Sequence, residues 1–147
     1  MRKTYLIKKM REIILKGGNY HYQLHHNAAK IVSTLNREIK GEIKIIGSYI
    51  PLVSKEIIPP FLDTFKYAFP FFRQTTKEDS PSLIDFKLHR PGIIYTDRAY
   101  GIKLPPIEEQ SVTPDLIFVP LTCFNPISKH RIGFGRGYYD LFIRITR

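Results

Sequence analysis

The chain has 147 residues, a length that suits one domain and leaves little room for a second. Hydrophobic residues make up 43% of it, which is enough for a buried core, and the single Cys excludes an intramolecular disulfide and a cysteine-rich zinc module. The 23 Lys and Arg residues outnumber the 13 Asp and Glu residues, so the formal net charge is +10. This excess indicates an anionic partner, either nucleic acid or a phosphate-bearing small molecule. The alternative is a bias in the base composition of the genome, which would raise the lysine and isoleucine content together.

Segments that would target the chain to a membrane are not evident in the sequence. No apolar run approaches the ~20 residues that a membrane span needs. Lys8, Lys9 and Arg11 interrupt the N-terminal stretch, so it lacks the apolar segment of a signal peptide. We therefore expect one soluble, cytoplasmic domain over residues 1–147 that does not bind a membrane.

Hydrophobic periodicity predicts two helices at the start of the chain. Apolar residues recur at helical spacing over residues 3–16, and the Gly-Gly-Asn sequence at 17–19 ends that pattern. A second helical pattern follows immediately. Its apolar face consists of Leu24, Ala28, Ile31, Val32 and Leu35.

The next segments predict a strand and then a third helix. Residues 43–50 are rich in β-branched side chains and are followed by Pro51, which is typical of the end of a strand. Pro59 and Pro60 suit the first turn of a helix, because proline is favoured there. The residues expected to face inward from this helix are Phe61, Leu62, Phe65 and either Tyr67 or Ala68.

Further strands are predicted in the central part of the chain. Residues 69–72 form an aromatic strand in which proline limits the pairing, and residues 84–88 alternate as a half-exposed strand does. The polar residues 74–82 predict the turn between them. Residues 90–106 are rich in Gly and Pro and predict a loop.

The C-terminal part completes an alternation of strands and helices. Residues 116–119 form a continuous apolar run bounded by polar and proline residues, which is typical of a strand covered on both faces in a parallel sheet. A glycine-rich turn at 133–137 then leads into a helix that starts near Tyr138. The predicted class is therefore α/β, with a mostly parallel sheet flanked by helices on both faces.

The densest chemical signal is the sequence His-Arg-Ile-Gly-Phe-Gly-Arg-Gly-Tyr-Tyr-Asp at 130–140. Alternate glycines let the backbone approach a ligand closely. Backbone N–H groups in such a turn are able to donate hydrogen bonds to phosphate oxygens. Arg131 and Arg136 are suited to forked hydrogen bonds with phosphate, and Asp140 to a Mg²⁺ ion that bridges phosphates. The pattern is neither the Walker motif nor the dinucleotide fingerprint. The alternative is a tight glycine turn with solvated arginines.

This segment resembles the signature of the 5-formyltetrahydrofolate cyclo-ligase (methenyltetrahydrofolate synthetase) family. The resemblance includes Asp-Leu-Ile-Phe-Val-Pro at 115–120, Cys-Phe at 123–124 and Arg-Ile-Gly-Phe-Gly-Arg-Gly-Tyr-Tyr-Asp at 131–140. Three other elements agree in order. They are Lys3-Thr-Tyr-Leu-Ile-Lys-Lys-Met-Arg11, Tyr49-Ile-Pro51 followed by Glu56, and Tyr100-Gly-Ile102 followed by Pro105. The resemblance extends from residue 3 to residue 143.

The resemblance implies an ATP- and Mg²⁺-dependent ligase that acts on 5-formyltetrahydrofolate. In this reaction the formyl oxygen attacks the γ-phosphate of ATP, and N10 of the folate then displaces phosphate. The products are 5,10-methenyltetrahydrofolate, ADP and phosphate. No enzyme nucleophile is needed, so no catalytic residue is expected, and the protein contributes positioning and charge stabilisation.

The resemblance also implies which residues bind each ligand. The positions matching the ATP site are Lys3, Arg131, Ile132, Gly133, Phe134, Gly135, Arg136, Gly137, Tyr138 and Tyr139. The positions matching the folate site are Ile50, Glu56, Phe134, Gly135, Arg136, Gly137 and Tyr138. Asp140 matches a Mg²⁺ ligand. The alternatives are a solvated lysine for Lys3, core packing for Ile50 and Tyr139, a loop carboxylate for Glu56 and a first-turn helix carboxylate for Asp140.

The chain departs from the family pattern in three respects. Ile7 stands where the family has an arginine. The spacing from Tyr49 to Glu56 is one residue longer, so Lys55 is the alternative occupant of the glutamate position. The family continues for some tens of residues beyond the signature and includes a late aspartate that helps to hold Mg²⁺. On that comparison we expect a C-terminally truncated chain with an incomplete sheet and low turnover.

Three functional hypotheses therefore stay open at the level of sequence. The first is an active cyclo-ligase whose partners are ATP and a reduced folate, and the second is an inactive remnant of such an enzyme. The third is a basic nucleic-acid-binding protein, although no recognisable reading helix or aromatic strand motif supports it and no specific nucleic acid is expected. An uncovered sheet edge would also favour a second protein chain as a partner.

Overall fold

The protein is described from a computed structural model, which covers residues 20–38, 42–52, 56, 58–73, 83–98, 101–133 and 137–146. The predicted helix over residues 3–16, its end at 17–19 and the predicted turn at 74–82 lie outside these residues. The two helices of the described part are α1 (Tyr20–Glu38) and α2 (Tyr138–Ile145). Its strands are β1 (Ile45–Gly47), β2 (Lys66–Arg73), β3 (Leu83–Leu88), β4 (Thr96–Asp97), β5 (Lys103–Leu104), β6 (Ser111–Val112), β7 (Leu116–Ile117), β8 (Cys123–Phe124) and β9 (Arg131–Ile132).

Five of these strands form one sheet in the order β6-β3-β2-β1-β7. Strand β1 pairs in parallel with β2 on one side and with β7 on the other. Strand β3 pairs antiparallel with both β2 and β6, so the β6 side of the sheet is antiparallel. The remaining strands form two ribbons, β4–β5 and β8–β9. The predicted α/β class is confirmed, and the parallel pairs surround the strand that was predicted over residues 43–50.

The core consists of two apolar clusters on opposite faces of this sheet. The α1-side cluster comprises the buried residues Val32, Ile43, Ile46, Leu62 and Tyr67. The α2-side cluster comprises the buried residues Ala68, Ile84, Phe86 and Tyr139. Consecutive residues of β2 belong to different clusters because side chains alternate between the two faces of a strand. The prediction of helices on both faces is therefore confirmed.

The helix predicted from the pattern of residues 24–35 is confirmed by α1, and one of the predicted apolar residues whose side chains are described lies away from the core. Val32 is buried and Leu35 packs against the α1-side cluster. Ile31, which was predicted to lie on the same face, is 59% exposed. The buried stripe of this helix is therefore narrower than the apolar pattern suggested.

The apolar run at 116–119 is covered on both faces, as predicted. Leu116 and Phe118 pack against the α1-side cluster, whereas Ile117 and Val119 pack against the α2-side cluster. Asp115 joins the start of this strand to β1. Its Oδ2 accepts hydrogen bonds from the backbone N–H groups of Lys44 and Ile45, each at 2.9 Å.

The helix predicted after Pro59 and Pro60 is wrong. Residues 58–62 have no regular structure, a turn follows at 63–65, and β2 begins at Lys66. The buried Tyr67 organises this turn, because its hydroxyl accepts a hydrogen bond from the Leu62 N–H at 2.7 Å. The aromatic run after the turn extends β2 well beyond the predicted residues 69–72, since aromatic side chains favour a strand that is covered on both faces.

The half-exposed character predicted for residues 84–88 is also wrong, although the strand itself is confirmed as β3. Lys87 is only 6% exposed. Its Nζ donates a hydrogen bond to Ser111 Oγ at 2.9 Å and lies 3.3 Å from Asp85 Oδ2. These polar partners on β3 and β6 allow the lysine to be buried, because a buried charge is tolerated when it is paired and hydrogen-bonded.

Candidate functional site

A pocket of about 620 Å³ opens at the carboxyl ends of the parallel strands. Tyr49 and Ile50 enter it just after β1, and Pro120 enters it from the segment after β7. Phe72 contributes from the second half of β2. In open α/β sheets, ligands bind in the crevice outside the carboxyl ends of the strands. The location of the pocket is therefore the one that this fold class uses for ligand binding.

The N-terminal end of α2 forms one wall of the pocket. Gly137 precedes the helix with φ 70°, a left-handed conformation that favours glycine, and it has no side chain to cap the helix. Tyr138, Tyr139 and Asp140 of the first turn all line the pocket. The glycine therefore serves to turn the chain into the helix at the point where the helix faces the pocket.

Arg131 connects three elements at the edge of the pocket. Its Nη2 donates a hydrogen bond to Asp140 Oδ1 at 2.5 Å, and its Nη1 donates to the carbonyl oxygen of Pro120 at 3.3 Å. The side chain of Arg131 is 22% exposed and that of Asp140 is 71% exposed. The guanidinium thus holds β9, the end of the β7 segment and α2 together while it remains accessible from the pocket.

Gly133 provides the space for this guanidinium. A Cβ atom at this position would lie 2.7 Å from Arg131 Nη1, which is closer than such contacts occur in proteins. Any larger residue would displace the arginine from its present position. The requirement for glycine at this point of the signature is therefore one of space, whereas at Gly137 it is one of backbone conformation.

Glu56 is held at the pocket by the backbone that precedes it. Its Oε2 accepts a hydrogen bond from the Leu52 N–H at 3.0 Å, and its own N–H donates to the Leu52 carbonyl at 3.2 Å. Both residues line the pocket. The segment after β1 therefore presents the carboxylate of Glu56 to the same space as the first turn of α2.

Tyr139 is the buried residue of α2, and its hydroxyl is buried as well. The residue is 7% exposed, and its hydroxyl forms no hydrogen bond in the part of the chain that the structure describes. Burial raises the pKa of this phenol well above its usual value of 10, and the nearby charge of Glu56 raises it further. The hydroxyl is therefore neutral at physiological pH.

An aromatic pair gives the pocket a flat apolar surface. The rings of Phe72 and Tyr138 have their centroids 4.8 Å apart and are tilted by 39°. Both residues line the pocket. Aromatic rings of this kind provide a large contact area for a planar ligand ring.

Every predicted site residue within the described part of the chain lines this one pocket. These residues are Ile50, Glu56, Arg131, Ile132, Gly133, Gly137, Tyr138, Tyr139 and Asp140. The other predicted residues, Lys3, Phe134, Gly135 and Arg136, lie outside the described residues, as does Lys55, the alternative to Glu56. The structure thus brings together side chains that are up to about ninety positions apart in the sequence.

Several pocket residues were not predicted as site residues. Tyr49 and Ile102 belong to sequence elements that carry the family resemblance, so a signal for them was present. Phe72 and Lys103 also line the pocket, but nothing in the local sequence distinguishes them. Lys103 comes from the β4–β5 ribbon, where its Nζ pairs with Asp97 Oδ1 at 2.7 Å.

The donor set for a metal ion in the described residues is small. Mg²⁺ in proteins is usually held by one or two carboxylates together with phosphate oxygens and water. Asp140 supplies one carboxylate at the pocket, and no group of three or more His, Cys, Asp or Glu side chains within the described residues is arranged to hold a metal ion. These residues therefore fit Mg²⁺ only together with the phosphates of a bound nucleotide. None of the described helices has the length and apolar character needed to cross a membrane.

Comparison with known proteins identifies both a sequence relative and structures of the same fold. No family model matches the chain. The curated 5-formyltetrahydrofolate cyclo-ligase of Mycoplasma genitalium is 27% identical over 151 aligned positions, which cover 99% of this chain and 76% of that protein. The NMR structure of 5,10-methenyltetrahydrofolate synthetase from Aquifex aeolicus matches with a TM-score of 0.58 and 23% identity, over 98% of this chain and 73% of that one. The 5,10-methenyltetrahydrofolate synthetase from Mycoplasma pneumoniae matches with a TM-score of 0.57 and 21% identity, over 98% of this chain and 78% of that one.

Proposed function

We propose that the chain is a member of the 5-formyltetrahydrofolate cyclo-ligase family and that it converts 5-formyltetrahydrofolate to 5,10-methenyltetrahydrofolate with hydrolysis of ATP. ATP and the reduced folate are proposed to bind side by side in the pocket at the carboxyl ends of the parallel strands. The formyl oxygen attacks the γ-phosphate, and N10 then closes the ring as phosphate leaves. This proposal also predicts a cytoplasmic protein, because that is where ATP and reduced folates are available.

The convergence of the predicted ligand-binding residues carries this proposal. The matching positions that can be located come from two distant segments of the sequence, Ile50 and Glu56 after β1 and the signature at 131–140, and both segments border one space. A volume of about 620 Å³ lies in the range of small-molecule sites and requires the two ligands to be in close contact. Close contact is what a direct attack of one ligand on the other requires.

The residues of the pocket divide between the two ligands according to their chemistry. Arg131 and the backbone around Gly133 and Gly137 are suited to phosphate oxygens, because guanidinium and N–H groups donate to them. Glu56 is suited to the N–H groups of the pterin ring, and Tyr138 to its flat face. Asp140 would hold Mg²⁺, which would neutralise charge on the transferring phosphoryl group when bound.

The decisive experiment measures ligand binding and turnover separately. Calorimetry with ATP and with 5-formyltetrahydrofolate tests binding, and the absorbance of 5,10-methenyltetrahydrofolate tests turnover in the presence of ATP and Mg²⁺. Replacing Arg131 by Ala should weaken ATP binding roughly tenfold or more, which corresponds to the loss of a charged hydrogen bond of about 1.5–3 kcal/mol. Arg144→Ala is the matched control, because Arg144 lies in the last turn of α2, is exposed and is not among the pocket-lining residues.

The outcomes separate the three hypotheses. Binding of both ligands with turnover supports the active enzyme, whereas binding without turnover supports an inactive remnant of the family. If neither ligand binds to the folded protein, the proposed site is wrong. An Arg131→Ala variant that loses affinity for DNA as much as for ATP would instead favour a basic surface that binds nucleic acid, whose affinity falls steeply with salt.

A further inference from the structure

The pairing between β1 and β2 stops where the pocket begins. In its last hydrogen bond the Ser48 N–H donates to the Ala68 carbonyl at 2.9 Å. In the same parallel register, the next two bonds would run from the N–H of residue 70 to the Ser48 carbonyl and from the Ile50 N–H to the carbonyl of residue 70. Residue 70 is a proline and has no N–H, and the bond from Ile50 is not formed. Pro70 therefore ends the ladder, and both Ile50 and Pro70 line the pocket in the gap that follows.

The second half of β2 consequently has one side on which no strand of the described part of the chain pairs with it. Backbone groups of successive residues in a strand point to opposite sides. Tyr67 faces β3, because its carbonyl accepts a hydrogen bond from the His89 N–H at 2.7 Å, and Ala68 faces β1. By this alternation the backbone groups of Pro70 and Phe72 point to the β1 side, beyond the end of β1. Both residues line the pocket.

The backbone of these two residues offers a defined order of hydrogen-bonding groups, here called the β2 edge. It consists of the Pro70 carbonyl, the Phe72 N–H and the Phe72 carbonyl, which are an acceptor, a donor and an acceptor. A ligand that lies against an unpaired strand is able to form the hydrogen bonds that a further strand would form. The complementary ligand is a flat ring with a donor, an acceptor and a donor on neighbouring atoms of one edge.

The reduced pterin ring has this pattern on one edge, where N8–H is a donor, N1 is an acceptor and the 2-amino group is a donor. The 2-amino group has two hydrogens, so the second one and N3–H stay available to the carboxylate of Glu56, which lines the same pocket. The adenine ring of ATP supplies only an amino donor and an adjacent ring acceptor. The rings of Phe72 and Tyr138 lie beside the β2 edge and provide a contact surface for the face of the ligand ring.

We propose that the β2 edge binds the N8–H, N1 and 2-amino groups of the bound reduced folate through main-chain hydrogen bonds. This inference rests on the proposed function and adds a subsite to it. Pro70 has two roles in this subsite. It lacks the N–H that would continue the ladder to β1 and close the gap, and its carbonyl is the first acceptor of the edge.

The test compares two substitutions at one position. Phe72→Ala and Phe72→Pro both remove the aromatic ring, but only proline also removes the backbone N–H. Phe72 is at a position of β2 whose N–H does not pair with β3, and Pro70 occupies the equivalent position two residues earlier, so the ladder to β3 is expected to remain intact. In calorimetry Phe72→Pro should bind 5-formyltetrahydrofolate about 3–10-fold more weakly than Phe72→Ala, the usual size for one hydrogen bond. The two variants should bind ATP within about twofold of each other.

A second measurement uses the wild-type protein, so it does not depend on how the proline variant folds. Its ligand is the 8-deaza analogue of 5-formyltetrahydrofolate, in which a methylene group replaces N8–H. The wild type should bind this analogue about 3–10-fold more weakly than 5-formyltetrahydrofolate, because the Pro70 carbonyl loses its donor. Equal affinity for the two folates would refute the proposed contact with the β2 edge.

The outcomes also separate this inference from the proposed function. If Phe72→Pro loses affinity for ATP instead of the folate, the β2 edge binds adenine and the inference is wrong. An equal loss for both ligands would mean that the proline distorts the strand and would leave the analogue to decide. A wild-type protein that binds 5-formyltetrahydrofolate and the analogue equally well overturns the inference and leaves the function intact. A wild-type protein that binds no reduced folate overturns both.

Discussion

The hydrogen bonds between Asp115 and the backbone of residues 44 and 45, here called the Asp115 clasp, attach the start of β1 to the segment before β7. They provide a stability prediction that depends on a single carboxylate. Both backbone N–H groups at the entry to β1 donate to Asp115 Oδ2, and the Asp115 N–H donates in return to the Ile45 carbonyl at 2.9 Å. The strand that it fixes, β1, is the central parallel strand, and the pocket opens at its far end. We predict that Asp115→Ala destabilises the fold and that Asp115→Asn does so to a smaller extent.

The magnitude follows from the two hydrogen bonds and from their exposure. A hydrogen bond to a charged group contributes about 1.5–3 kcal/mol when it is well shielded. Asp115 is exposed, so water replaces part of what the alanine variant loses, and we expect a total loss of about 1–2 kcal/mol. For a chain of this size that corresponds to a fall in melting temperature of roughly 3–8 °C. The asparagine side chain retains an oxygen acceptor but no charge, so about half of this loss is expected.

The pH dependence has a defined sign. Hydrogen bonds from the Ile45 and Lys44 N–H groups lower the pKa of the Asp115 carboxyl below its usual value of 3.8. The folded state therefore favours the ionised form, and this contribution is present above the usual pKa and is lost as the pH falls through the lowered one. Urea unfolding at pH 7, 5, 4 and 3 should show the difference between wild type and Asp115→Asn shrinking only below about pH 4.

A surface carboxylate just before β1, that of Glu42, supplies the control for Asp115. Glu42 lies 3.8 Å from the Lys44 ammonium, and both side chains are more than two-thirds exposed. Glu42→Gln should therefore change the free energy of unfolding by less than about 0.5 kcal/mol. If Asp115→Ala is no less stable than Glu42→Gln, or if the difference between wild type and Asp115→Asn does not change with pH, the clasp does not stabilise β1.

Two further predictions concern the centre of the sheet and the phosphate end of the pocket. Gly47→Ala should lower the free energy of unfolding, measured in urea, by about 1–3 kcal/mol, because the new Cβ would lie 2.9 Å from side-chain atoms of both Phe86 and Pro114. An unchanged midpoint of urea unfolding would mean that these side chains move aside freely. Asp140→Asn should strengthen the binding of ATP alone by about two- to fivefold, because it frees Arg131 from an ion pair worth up to ~1 kcal/mol. The same variant should weaken the binding of Mg²⁺-ATP, because it removes the carboxylate proposed to hold the metal ion. A change of the same sign in both calorimetric titrations would contradict the proposed roles.

The parts of the fold with a clear hydrophobic period were predictable from the sequence. The sequence predicted helix α1, the central parallel strand and the strand at 116–119. In each case the hydrophobic pattern within the segment itself was sufficient, without knowledge of its partners in the fold. The failure at Pro59 and Pro60 has a specific cause. Two prolines favour a helix start as well as an irregular segment, and the choice depends on the Tyr67 hydroxyl, which binds the Leu62 N–H only after the chain has folded back.

The pocket-lining residues that belong to the family-like sequence elements were predictable from the sequence. The pocket-lining residues from other segments were less predictable. Phe72 faces the pocket because β2 pairs with β3 in the register that sets Ala68 opposite Leu88, and a shift of one residue would point it to the other face. Lys103 reaches the pocket because the β4–β5 ribbon packs near β2. The positions of such residues depend on how distant segments pair and pack. The sequence pattern within one segment carries no information about that pairing.

The ion pair between Arg131 and Asp140 changes the interpretation of the net charge of +10. The sequence predicted both side chains as ligand-binding groups, one for phosphate and one for Mg²⁺, and it could not predict that they neutralise each other across the glycine-rich turn. Among the described lining residues, the positive charges of Arg131 and Lys103 are balanced by the negative charges of Glu56 and Asp140. The excess positive charge therefore lies outside this group of residues, where it raises the rate at which anionic ligands encounter the protein. Under the proposed function, selection among those ligands would depend on the pocket itself, through its aromatic surface, the carboxylate of Glu56 and the guanidinium of Arg131, which would become available to phosphate if Asp140 held a metal ion.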